Sequence, residues 1–167
     1  MKAYVGLVLF ASMLLVACGT SSGGGSRPGT AFAPGSFSSD GEQIYFTSVD
    51  TSGHRIAYTG GPAMGGMMTG GYLACVSCHG PDARGGVHQM GMQTMDAPDI
   101  RWSALITMEA EDKGLPSGQG SYDLALFRQA VVDGKDAAGD TLSNDMPRWQ
   151  MNDTDLSDLA NYLKSLP

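Results

Sequence analysis

The sequence is poor in charge, in histidine and in cysteine, and each shortage removes a class of function. Charged residues make up 16% of the 167, and the ten basic residues are outnumbered by 17 acidic ones, giving a net charge of −7. Such a chain offers no basic surface to a phosphate backbone, which excludes nucleic acid as a partner. Three cysteines are too few for a disulfide framework, and two of them lie within one turn of each other. Outside the N-terminus there is no apolar run approaching the ~20 residues of a bilayer-spanning helix. No internal repeat suggests a second domain, and no paired carboxylates or Ser/His/Asp set argues for chemistry on a substrate. Glycine and methionine are plentiful instead, at 24 and 11 residues. So much glycine implies long loops, and a small loop-rich domain often needs a staple.

Lys2 followed by the apolar run Ala3–Ala17 reads as a signal peptide, too short for a bilayer span. The run ends Leu15-Val16-Ala17-Cys18-Gly19, which resembles the lipobox of bacterial lipoproteins. That resemblance implies cleavage after Ala17 and acylation of Cys18, and several acyl chains hold a protein stably on a membrane. Residues 18–39 are Gly, Ser, Pro and Thr with little to bury, a flexible tether with a reach of roughly 25 Å. The expected organisation is a signal peptide over 1–17, a lipid-anchored linker over 18–39 and one domain over 40–167. The expected location is the bacterial cell envelope, with the domain facing the periplasm or the exterior. By the same resemblance, Gly rather than Asp at position 19 favours the outer membrane.

Cys75-Val76-Ser77-Cys78-His79 has the C-x-x-C-H spacing of covalent haem attachment. Two thiols on one turn can each form a thioether to a haem vinyl group, and the next residue then directs its imidazole at the iron. A zinc site would need two more paired ligands, and only His54 and His88 remain, neither in a paired motif. A thioredoxin-like dithiol would sit in a βαβ unit, whereas this segment is flanked by Gly70-Gly71 and Gly80-Pro81. The residues therefore predict one haem c, with His79 as an axial ligand.

Around this motif, residues 40–167 resemble a class I cytochrome c. Gly41-Glu42-Gln43-Ile44-Tyr45 is similar to the family's first helix, where a small residue and an aromatic four later pack on the last helix. The last helix is legible by periodicity in Leu156, Leu159, Ala160, Leu163 and Leu166, with Asp153 or Thr154 as its cap, and Leu159 and Tyr162 are expected to meet Gly41 and Tyr45. Further helices are predicted over 122–133, ending at Gly134, and over 100–110. The implied fold is all-α, a small cytochrome c fold of three to five helices wrapped around one covalent haem, with long loops. The resemblance also implies Met146, in Met146-Pro147 before the last helix, as the second axial ligand, and the Pro98 carbonyl as acceptor of the His79 Nδ1 proton. A His/Met pair fills both axial positions, and its soft thioether raises the reduction potential above that of a bis-histidine haem.

Two stretches are longer than the simplest family members have, 46–74 and 87–96. They carry Met64, Met67, Met68, Met90, Met92 and Met95, together with His54 and His88. These methionines read as packing over the haem edge, as a soft-metal site, or as a source of a different axial ligand. Trp102 and Trp149 are candidates to line the pocket, and Arg84, Arg101 and Arg148 to pair the propionates. The expected function is electron transfer to redox partner proteins, for which a basic docking face would suit the acidic chain. The alternatives are a haem enzyme or gas sensor with an open sixth iron position, and a copper-handling module using the Met-rich loops.

Overall fold

The structure, a computed structural model, describes residues 35–62, 72–90, 92–118 and 120–167. The signal peptide, Cys18 and most of the linker lie outside the described residues, as do Met64, Met67 and Met68.

Helix α1 (Asp40–Thr47) begins where Ser39 Oγ accepts the Glu42 N–H at 3.1 Å, while the Glu42 carboxylate accepts the Ser38 N–H. This reciprocal capping satisfies backbone donors that the first turn leaves free. The helix ends at Ser48, in the left-handed region at φ 54, whose hydroxyl donates to the Leu73 carbonyl at 2.8 Å. Ile44 and Tyr45 are fully buried on one face.

Helix α2 (Val76–His79) is the single turn carrying the cysteines and His79. The stretch after it, expected as an insert, is an antiparallel hairpin of β2 (Gly86–Met90) and β3 (Gln93–Ala97), with His88 opposite Met95. A second ribbon pairs β1 (Tyr58–Thr59) with β4 (Arg148–Trp149), setting Tyr58 against Trp149. The five helices among the described residues fit the expected number, but the two ribbons there mean that the fold is not purely α-helical.

Helix α3 (Trp102–Asp112) begins two residues later than predicted, because Asp99 accepts both the backbone N–H and the guanidinium of Arg101 and holds that residue extended. Helix α4 (Leu124–Arg128), capped by Asp123, continues as a wide π-helical turn (Gln129–Asp133) that Gly134 ends at φ 68. Helix α5 (Asp153–Ser165) is capped by Asn152, which accepts the Asp155 N–H at 2.9 Å, one residue before the expected caps. No described helix is long and apolar enough to cross a membrane.

The contact that organises the domain is α1 against α5. A Cβ built on Gly41 would stand 1.9 Å from the Asp158 carbonyl oxygen, so only glycine permits this crossing. Tyr45 and Tyr162 pack with ring centroids 5.2 Å apart beside it, and Leu156, Leu159 and Leu163 are each 1% exposed. At about 25 cal/mol per Å² of apolar surface, each such leucine contributes roughly 2 kcal/mol. Tyr45 also reaches across to donate its hydroxyl to the Gly80 carbonyl at 2.5 Å, fixing the residue that follows His79. The helix crossing thereby positions the C-x-x-C-H turn.

Candidate functional site

A cavity of about 280 Å³ opens between the α2 turn and the loop that precedes β4. Cys75, Cys78 and His79 stand on its wall together with Pro98 and Met95, and Met146 and Trp149 also line it. Leu105, Phe127, Leu159 and Leu163 make the interior apolar.

His79 is 7% exposed, and its Nδ1 lies 2.9 Å from the Pro98 carbonyl oxygen. A carbonyl can only accept, so Nδ1 carries the proton and Nε2 keeps a lone pair for a metal. Burial holds the imidazole below its ordinary pKa against the opposing pull of the Pro98 carbonyl, which favours the neutral ligand form. Both thiols are free. Burial pushes the Cys75 thiol up to about 12 and raises that of Cys78. A dithiol redox pair needs its attacking thiol pKa lowered, so that reading finds no support here. Among the described residues no group of three His, Cys, Asp or Glu could hold a metal ion, which removes the support for a zinc site as well.

Met146 is held by its loop. Its N–H donates to the Ser143 carbonyl at 3.2 Å, and the Arg148 guanidinium donates to the carbonyls of Leu142, Ser143 and Met146 itself. The arginine crosses Gly134 so closely that a Cβ there would meet its Nε at 1.6 Å. Arg148 is therefore a clamp on the loop. The other two arginines proposed for the propionates are also engaged: Arg84 pairs with Asp82, and Arg101 with Asp99 and the Pro167 carbonyl. None of the three lines the cavity. The D-x-R spacings at 82–84 and 99–101 were a sequence signal for these pairings.

Of the two tryptophans, Trp149 lines the cavity and is 4% exposed. Trp102 packs instead against Tyr122 and Phe127, with the Lys164 ammonium 4.3 Å above its ring. His54 and His88 are not on the lining, and His54 faces Asp50 at 3.8 Å. Sequence reasoning missed two features. Gln93, in the hairpin, donates to the Asp145 carboxylate at 2.9 Å and so ties β3 to the Met146 loop. Glu109 lines the cavity at 1% exposure, its carboxylate paired with Lys113 and accepting the Ser121 N–H at 2.7 Å. Those partners hold its pKa below the usual carboxylate value.

Two thiols and an imidazole nitrogen with a free lone pair on one apolar cavity are what covalent attachment of a haem requires. The Cytochrome c family model matches residues 70–167, from just before Cys75 to the last residue. Comparison with curated proteins and with solved structures gave no match. The family match takes in more than half of the chain and the whole C-x-x-C-H motif. With the cavity and its donor set in place, the chain belongs to the cytochrome c family as a class I c-type cytochrome, which binds haem c covalently and transfers electrons.

Proposed function

We propose that the protein is a membrane-anchored monohaem electron carrier whose iron is bound by His79 and Met146. The observation that carries this reading is the cavity wall, where His79, fixed by the Pro98 carbonyl, and Met146, fixed by the Arg148 clamp, line one apolar space. When bound, the haem supplies a one-electron Fe(II)/Fe(III) couple. Cys75 and Cys78 hold it by two thioethers. Pro98 keeps His79 in the tautomer that donates through Nε2 and strengthens it as a ligand. The Met146 thioether would favour the ferrous state and leave no open iron position to substrates. The apolar lining excludes water, which keeps the reorganisation that accompanies each electron small.

A potentiometric titration tests the ligand assignment. Exchanging Met146→His should lower the midpoint potential by on the order of 0.1 V, well inside the ~0.8 V that axial ligands span. An unchanged potential would remove Met146 from the iron. The clamp has its own test, since Arg148→Met removes the donors that hold the loop. Imidazole added to the ferric protein should then displace the sixth ligand about tenfold more readily, equivalent to about 1.4 kcal/mol. Equal displacement would show that the loop holds Met146 without Arg148.

The lipid on Cys18 and the linker to Ser39 would keep this domain at the bacterial envelope while letting it turn between partners. Asp96, Asp112, Asp136 and Asp145 border the cavity, and no lysine or arginine is among its described lining residues. This acidic border supports a redox partner with a basic docking face, whose reaction with the protein should slow as salt rises.

A further inference from the structure

The inner face of the β2–β3 hairpin carries an imidazole, that of His88, which is not among the residues lining the haem cavity. His88 Nδ1 lies 3.1 Å from the Gly86 carbonyl oxygen, so this nitrogen is the protonated one and Nε2 bears the lone pair. Nε2 is shielded from solvent and has no hydrogen-bond partner among the described residues. An imidazole that gives its Nδ1 proton to a backbone carbonyl and holds Nε2 bare is set up as a metal ligand, and a buried acceptor left unmatched needs an explanation.

The strand register says what stands beside it. Met95 is directly opposite His88, at a separation that brings cross-strand side chains into contact, and Met90 is two residues along on the same face. Both thioethers are shielded, Met90 at 8% and Met95 at 7% exposed, whereas Val87 on the other face is 72% exposed. One imidazole and two thioethers, with no carboxylate in register among them, form a soft and neutral donor set. Such a set selects a soft monovalent ion over Ca²⁺, Mg²⁺ or Zn²⁺.

We propose that His88 Nε2 and the sulfur atoms of Met90 and Met95 form a binding site for Cu(I) on the inner face of the hairpin. The site shares no residue with the His79/Met146 pair and rests on that assignment, since Met95 also lines the haem cavity. It needs no rearrangement of charge, because all three donors are neutral.

The test is an anaerobic titration of the haem-loaded full chain with Cu(I) in competition with bicinchoninate. The wild type should take up Cu(I), and His88→Gln and Met90→Leu, neither of which lines the haem cavity, should each bind one equivalent fewer. Met92→Leu should bind as the wild type does, since Met92 is 94% exposed. Unchanged haem absorption bands in each variant certify that the fold is intact. A wild type that takes up no Cu(I), or a His88→Gln protein that binds the full complement, would overturn the proposal. Loss of the equivalent in Met92→Leu would overturn it too, by moving the site to the hairpin's exposed end.

Discussion

A chain with Cys75 and Cys78 both replaced by alanine should carry no covalent haem and should lose cooperative unfolding. The size of this effect follows from the cavity. At about 24 cal/mol per Å³, a cavity of about 280 Å³ left without its occupant costs up to roughly 7 kcal/mol. Ordinary domains are stable by only about 5–15 kcal/mol in total. Phe127, Leu159 and Leu163 line that space and belong to the same buried cluster as Ile44 and Leu156, so the helices share a core that the cofactor completes. Haem staining on a denaturing gel reads attachment, and circular dichroism during heating reads the fold. A haem-free double variant that still melts in one sharp transition near the holoprotein's would show that the helices close a core without the cofactor.

Gly41→Val should be the most damaging single change outside the cavity. Its first side-chain atom would fall 1.9 Å from the Asp158 carbonyl oxygen and 3.0 Å from the Leu159 nitrogen, both backbone atoms that no rotamer change can move. Helices α1 and α5 must then separate, which loosens Tyr45, Ile44 and Leu159 together. Overpacking of this kind costs about 3 kcal/mol or more, to be read from chemical denaturation of the haem-loaded protein. Asn161→Ala, on the exposed side of α5, should stay within about 0.5 kcal/mol of the wild type. Tyr45 also holds Gly80, next to His79, so Gly41→Val should weaken the haem's optical signature as well as stability. Equal stability of the two variants would remove the close crossing from the account.

The helix crossing was readable because Gly41, Tyr45, Leu159 and Tyr162 each leave a distinct trace in the sequence. One residue has no side chain, and the others recur at helical spacing. The start of α5 was misplaced because Asn152, Asp153 and Thr154 can all cap. What decides is the reach of Asn152 to the Asp155 N–H, a matter of backbone angle rather than composition. The helix predicted over 122–133 is half α and half wide turn, and apolar periodicity does not distinguish the two. The hairpin had a visible period of two in His88, Met90 and Thr94, Asp96, but its strands are short and flanked by glycine, so it passed for loop. Glu109 was invisible as a cavity residue, because its burial depends on Lys113 one turn later and on Ser121 beyond a separate loop.

The role of Arg148 is a further case. Its position beside Met146 suggested a propionate partner, yet an arginine's five donors also suit a row of backbone carbonyls. The tight loop 142–146 presents three of them, and Gly134 leaves the space through which the side chain passes. Such a contact is set by the return of the chain after α4, which no local pattern records.

The most direct test of the ligand assignment is the ferric absorption spectrum of the purified holoprotein, wild type beside Met146→Ala. The account predicts a low-spin haem with the weak far-red band of methionine sulfur on ferric iron, and its disappearance in Met146→Ala. A wild type that is high spin and whose ferrous form binds CO readily would contradict it, and would make the haem a catalytic or sensing group with an open sixth position.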